Sequence, residues 1–316
     1  MSSIRFDAEL KSFMMTIRSS VPCAAVFLGF LASGLAEGED VALEKSESSA
    51  ISWETEFGAS AIADSKFKWE SFRGDVNALD FGVRAVASTI LKDGPQVRIG
   101  LDWQHFGFGL SKGAPLPNTL QSVAAVVGAD FQFGDAWLFR LELQPGFYGD
   151  GTDLRAEDLN VPLIFGGSYF VSADLQFVGG IGLDFNRKYP LLGALGLRWK
   201  FAPQFVLNAI LPAPRLEYSL SDSVTLYAGG EFLGATYRVD EDFGRAHGVR
   251  RLDDAIVDYY QIRVGGGASW SLRENVTFEF AVGAVTHHEF DFHRADVRVH
   301  STGVPVYGGF SFKAKF

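Results

Sequence analysis

From Trp53 to the last residue the chain repeats one pattern, an apolar side chain followed by a polar or small one, at a period of two. Such alternation puts successive side chains on opposite faces of a strand. Val123, Ala125, Val127, Ala129, Phe131 and Phe133 alternate with Ser122, Ala124, Val126, Gly128, Asp130 and Gln132. After Gly134-Asp135 the pattern resumes as Trp137, Phe139, Leu141 and Leu143 against Arg140, Glu142 and Gln144, which predicts a hairpin with a very short turn. Val97, Ile99, Leu101 and Trp103 oppose Arg98, Gly100, Asp102 and Gln104. Phe177, Ile181, Leu183 and Phe185 oppose Gln176 and Asp184, and Leu195, Leu197 and Trp199 oppose Arg198 and Lys200. Tyr260, Ile262 and Val264 oppose Gln261 and Arg263, and Val276, Phe278, Phe280 and Val282 oppose Thr277, Glu279 and His287. The pattern predicts an all-β fold of about fourteen strands, or about twelve without the short pair around Pro212-Ala213-Pro214; both counts are even.

Connections alternate in length. Short ones fall at Gly134-Asp135, Ser172 to Asp174, Ala202 to Gln204, Ser221 to Ser223 and Arg273 to Asn275. Long ones are expected at Ala63 to Glu70, Gly107 to Pro117, Gly149 to Asn160, Asp240 to Ala255 and Glu289 to Thr302. Every short turn then lies on the side of the termini, as in an antiparallel up-and-down transmembrane barrel. A soluble sandwich or lipocalin-like barrel shares the alternation, with the apolar face inward. Three features favour lipid outside. Aromatic residues gather beside the short turns (Phe133, Trp137, Trp199, Phe201, Phe205, Tyr218 and Trp270), as in an interfacial girdle. The polar face is ionic at mid-strand. The chain also closes on an amphipathic segment ending at Phe316, which resembles the signal read by outer-membrane barrel assembly machinery. A one-residue slip would turn Arg84, Arg98, Arg140, Arg198 and Arg263 into lipid, at a total cost on the order of ten kcal/mol or more.

The first 36 residues read as a cleaved signal peptide: Arg18, an apolar core from Val21 to Leu31, and small residues Gly34 and Ala36 before the cut, with Met14 or Met15 as an alternative start. Residues 37–51 read as a mobile periplasmic segment, and residues 52–316 as the barrel. Cys23, the single cysteine, falls inside the leader. The net charge of −10 becomes −11 without the leader, and no basic patch interleaved with aromatics points to nucleic acid as a partner. The 35 glycines and 29 phenylalanines suit strands and turns better than helix interiors.

One region carries a resemblance. Tyr189 to Trp199, Pro212-Ala213-Pro214-Arg215-Leu216, Ser221-Asp222, Leu226 to Phe232 and Thr236-Tyr237-Arg238 resemble an uncharacterised family of bacterial outer-membrane β-barrel proteins. The likeness covers Trp53 to Phe316 and is most specific from Tyr189 to Val239. It implies the fold and the outer-membrane location of a Gram-negative cell envelope, and brings no activity or site residues.

The candidate chemistry lies in the lumen. Arg84, Arg98, Asp102, Asp130, Arg140, Glu142, Asp184, Arg198, Glu231, Arg263 and Glu279 are expected to line a pore, joined by Asp80 and Lys200. Balanced charge fits either a passive, porin-like pore for ions or small solutes, or a sealed structural or surface-interaction barrel filled by its own ion pairs. Gly107 to Pro117 and Asp240 to Ala255 are candidates for an inward-folded constriction. Four of the six histidines lie close together, and His287, Glu289, Asp291 and His293 share one side if the strand persists, a weak metal candidate against the reading of a solvated outer loop. His293, His300 and Ser301 are the raw material for a membrane hydrolase, the least favoured reading. No cofactor is expected. The expected partners are outer-membrane lipid, the assembly machinery and small solutes or ions.

Overall fold

The computed structural model describes residues 51–316 except 71, 93, 152 and 154, so the predicted leader and nearly all of segment 37–51 lie outside the described residues. Seventeen strands form one sheet that closes on itself. They are β1 (Ser52–Trp69), β2 (Phe72–Ile90), β3 (Gln96–Leu110), β4 (Thr119–Phe133), β5 (Trp137–Leu143) and β6 (Gly146–Gly149). Then follow β7 (Leu159–Asn160), β8 (Leu163–Ser172), β9 (Leu175–Leu183), β10 (Leu191–Ala202), β11 (Phe205–Asn208) and β12 (Arg215–Ser219). The last five are β13 (Val224–Arg238), β14 (Ile256–Arg273), β15 (Val276–Phe292), β16 (Val297–Ser301) and β17 (Val306–Lys315). Three pairs (β5 with β6, β7 with β8, β16 with β17) are single staves interrupted at Pro145, Pro162 and Pro305, so the closed antiparallel barrel has fourteen staves. Proline has no N–H to donate, but its carbonyl still accepts. The Ala125, Gln144 and Val285 amides donate to the Pro145, Pro162 and Pro305 oxygens at 2.9, 2.9 and 2.8 Å, which keeps the interrupted staves in the wall.

Closure runs from Glu54↔Lys315 to Ile62↔Tyr307, and a reciprocal backbone pair between Trp53 and Phe316 (2.7 and 2.8 Å) finishes it. Alternation is realised with apolar residues outside. Leu195 is 86% exposed and Ile99 66%, while Arg98 and Arg140, on the other face of the wall, are 5% and 6% exposed. Aromatic rings touch in series around the end that carries the termini: Trp137 on Tyr169 at 4.5 Å, Phe201 on Phe205 at 5.8 Å, Phe205 on Tyr218 at 5.0 Å and Phe278 on Phe312 at 5.1 Å.

Two of the long loops expected from the sequence are strand instead. Ala63 to Glu70 extends β1 almost to its turn, and Glu289 to Thr302 holds the end of β15 and all of β16. A bulge marks each extension, between Ile62 and Ser65 in β1 and at Thr286 in β15. An extra residue reverses which parity faces inward. Beyond Thr286 the inward residues are His288, Phe290 and Phe292, and His287, Glu289 and Asp291 move to the outer face. The sequence reading, which carried the parity of Glu279 through to His287, is corrected here. A turn at Leu91 to Pro95, closed by the Gly94 amide on the Leu91 carbonyl (2.9 Å), adds to the short connections.

The far end, away from the termini, is pinched. Arg238 at the end of β13 pairs in parallel with Gly149 at the end of β6, so the two walls meet across the barrel. Strands β13 to β17 and β1 to β6 thereby enclose a narrower chamber, filled by Phe106, Phe108, Tyr237, Tyr259, Phe290 and other apolar side chains. Two connections fold into it: Leu116 from the β3–β4 loop and Phe243 and Leu252 from the β13–β14 loop are buried there, the latter loop carrying a one-turn helix α1 (Phe243–Ala246). Both segments expected as inward constrictions are therefore part of a plug.

Candidate functional site: the barrel lumen

Toward the terminal end the interior becomes polar, and the staves divide it into three sectors. In the first, β1 to β5 carry a buried ionic ladder. Arg84 donates to Asp102 at 3.0 Å and to both Glu142 oxygens at 2.7 and 2.8 Å. Arg140 grips Asp130 through two bonds of 2.7 Å, and Arg98 bonds Glu54 at 2.8 Å with Asp130 at 3.7 Å. Two-pronged guanidinium–carboxylate geometry is the strongest form of such a bond. These charges fill the space that their alternation creates, so this sector is wall and not passage.

The second sector spans β12 to β17 and is looser. Arg263 reaches Asp80 at 2.7 Å and Glu231 at 3.7 Å, and Arg215 holds Glu217 at 2.7 Å and Glu279 at 3.3 Å. Lys313 lies 3.5 Å from Glu56. The Glu231 side chain is 42% exposed although it points inward, and Lys313 and Glu56 are 35% exposed. Side chains leave part of this sector unfilled.

The third sector, β8 to β11, carries little charge. Inward positions are Ile164, Ser168, Gln176, Val178, Leu192 and Asn208, among glycines, with Arg198 and Lys200 as its two cations. Arg198 stands in register with Gln176 on one side and Asn208 on the other. Ile164, Val178 and Ile210 pack with Leu138 into a small apolar cluster.

Of the predicted lining residues, the structure brings Arg84, Asp102 and Glu142 together, joins Arg98, Asp130 and Arg140, and joins Arg263 with Glu231. Glu279 meets Arg215 instead of another predicted residue. Asp184 sits beyond the far end of β9, accepting from the Asn160 side-chain amide at 2.9 Å and the Asn186 backbone at 3.0 Å. Sequence reasoning missed Glu54, Glu56, Arg215, Glu217 and Lys313. Glu54 and Glu56 alternate with Trp53, Thr55 and Phe57, a signal that was there to be read; Arg215 was hidden in the proline-rich pair.

The histidine-rich segment does not converge on one point. His287 bonds Glu289 at 3.1 Å, Asp291 is taken by Lys188 (2.8 Å) and Arg298 (3.0 Å), and His293 faces Asp258 at 3.6 Å. Among the described residues no three His, Cys, Asp or Glu side chains form a group able to hold a metal ion. His300 lies opposite Lys68, and Ser301 opposite Phe67. Residues 184–190 lie against the β13–β15 wall on the face opposite the plug, through Arg187 on Thr236 (3.4 Å) and the Lys188 amide on Asp258 (3.0 Å). In the β6–β7 connection, burial pushes the Asp158 carboxyl above the ordinary aspartate range, while the Arg155 backbone N–H (3.1 Å) and guanidinium pull it down.

No protein-family model and no curated protein matches this chain. Solved structures do. The TodX monoaromatic hydrocarbon channel, as its deltaS2 mutant, superposes with a TM-score of 0.50 at 10% identity, over 85% of this chain and 91% of that one. This chain shares that protein's antiparallel β-barrel fold. An outer-membrane channel from Pseudomonas putida F1 gives 0.45 at 9% identity (88% and 100% covered), and the NanC porin 0.34 at 11% (82% and 98%). The fold implied by the family resemblance is thus the one observed.

Proposed function

We propose that this barrel is a gated conduit for small solutes in a bacterial outer membrane, with the terminal end toward the periplasm and the plug toward the exterior. One observation carries the reading: a charged lumen that side chains leave partly open runs up against an apolar stopper to which two connecting loops contribute Leu116, Phe243 and Leu252 beside the aromatic side chains of the wall. Loops are the least costly elements to displace, since few stave hydrogen bonds hold them. The apolar exterior, the aromatic girdle and channel neighbours such as TodX support the location and the transport role. In this reading the leader (1–36) exports the chain, and the assembly machinery reads the strand ending in Phe316. The ion pairs that fill the first sector favour a second reading, a sealed structural barrel whose outer surface does the work.

Single-channel recording separates the two. The refolded wild-type barrel is expected to be nearly silent in planar bilayers. Replacing residues 112–117 by a short Gly-Ser linker, which removes Leu116 from the plug, is expected to give stable conductance. A folded, plug-replaced barrel that passes no current leaves only the sealed reading.

A further inference from the structure

The third sector contains an imbalance that the rest of the lumen lacks. Arg84, Arg98, Arg140, Arg215 and Arg263 each face one or two carboxylates inside the barrel. Arg198 and Lys200, two residues apart on the inward side of β10, make no ion pair or side-chain hydrogen bond among the described residues. The nearest inward carboxylate by register is Glu217, opposite Val206, which is itself opposite Lys200; Arg215 already holds it at 2.7 Å. A guanidinium cannot shed its charge, so an inward arginine without a carboxylate is a standing demand for an anion.

A second observation points to the same corner. Asn208 is directly opposite Arg198, is only 7% exposed, and its Oδ1 atom is buried with no hydrogen-bond partner among the described residues. A buried amide normally satisfies both ends, and a half-turn exchanges its oxygen for its NH2 group. Gln176, opposite Arg198 on the other side, donates to Ser168 at 2.9 Å and closes the row. The next inward positions toward the far end are Val178, Gly196 and Ile210, which are apolar. A cation flanked by two carboxamides, with an apolar step beside it, matches a carboxylate carried on a short hydrocarbon body.

We propose that Arg198, Lys200 and Asn208 form a binding station for small organic monocarboxylates in the accessible part of the lumen. Arg198 takes the two carboxylate oxygens through its paired N–H groups, Asn208 turns its NH2 group to one of them, and Lys200 draws the anion in from the terminal mouth. This deepens the conduit reading, since it names the solute class that the lumen would admit.

The test is calorimetric titration of the refolded full-length barrel with butyrate, butanol and butylamine at low and high salt. Butyrate is expected to bind, butanol and butylamine not, and binding is expected to weaken as salt rises. Arg198→Gln is expected to lower butyrate affinity at least about tenfold and Lys200→Gln about threefold, while Arg198→Lys, which keeps the charge but not the paired N–H groups, falls between wild type and Arg198→Gln. Butyrate binding that survives the double Gln variant, or butanol binding equally well, overturns the station. Folding of each variant is checked by the mobility shift of unheated barrel on gels. Because binding is read without current, the two proposals fail separately: a silent plug-replaced barrel that still binds butyrate removes the conduit alone, and a conducting barrel without butyrate binding removes the station alone.

Discussion

Arg140 and Asp130 stand directly opposite on β5 and β4, both buried, and their value lies in being matched. Removing one partner leaves a charge in a space that water does not reach, which costs more than the pair itself contributes. Arg140→Ala is expected to destabilise the barrel by about 3 kcal/mol, with Asp130→Asn in the same chain restoring part of the loss; urea titration of the barrel in lipid vesicles reads both. Unchanged midpoints would mean that Arg98, 3.7 Å away, already satisfies Asp130 alone. Leu195 poses the opposite question on the lipid side. As the most exposed apolar side chain near the middle of a stave, it is expected to tolerate Ala with little effect, whereas Arg costs about 2–4 kcal/mol in a bilayer. Equal stability of Leu195→Arg and Leu195→Ala in vesicles would deny lipid contact there.

The elements show where alternation ceases to be a sufficient guide. Thr286 is one residue in a seventeen-residue strand, yet it decides that Phe290 and Phe292 plug the interior while Glu289 and Asp291 meet Arg298 and Lys188 outside. Deleting Thr286 is expected to remove the bulge without turning either face, because Val285 and His287 already pair with the adjacent residues Arg263 and Ile262, so the variant barrel should keep the gel mobility shift of the folded wild type; loss of the shift would mean that the bulge itself is needed. Neither Thr286 nor Ala63-Asp64 announces a bulge, because a bulge is chosen by what must face the core, and that depends on strands far away in sequence. The ends of long strands were read as loops for the same reason: Lys66, Lys68 and Arg298 look like loop residues until both faces of the extension are seen to be useful. In the β6–β7 connection, Asp158 holds its proton more tightly folded than unfolded. Its favourable contribution is therefore present below the ordinary aspartate value of about 4 and lost as pH rises through the folded value. Hydrogen-exchange protection at residues 155–159, taken relative to the intrinsic rate at each pH, is expected to fall over that rise in the wild type and to stay level in Asp158→Asn; parallel profiles would reject this role.

For the whole molecule, the decisive feature is the meeting of β6 and β13, which divides one barrel into a narrow apolar chamber and a wider polar one. It is possible because β11 and β12 are only four and five residues long, so the wall between β10 and β13 stays low and the far ends lean together. A barrel with this exterior is expected to need detergent or lipid, and to aggregate when both are removed. The one-dimensional pattern already determined the apolar outside, the ionic inside, an even stave count and the end at which the short turns lie, since each follows from a period of two and from the cost of placing arginine in lipid. It also placed Arg84, Asp102, Asp130, Arg140 and Glu142 on one inner face. Only the folded chain decided which charges neutralise one another, which loops enter the lumen, and that Arg198 is left without a carboxylate among the described residues. Pairing across a closed cylinder depends on register, curvature and the lean of staves that lie far apart along the sequence, and a local repeat carries none of these.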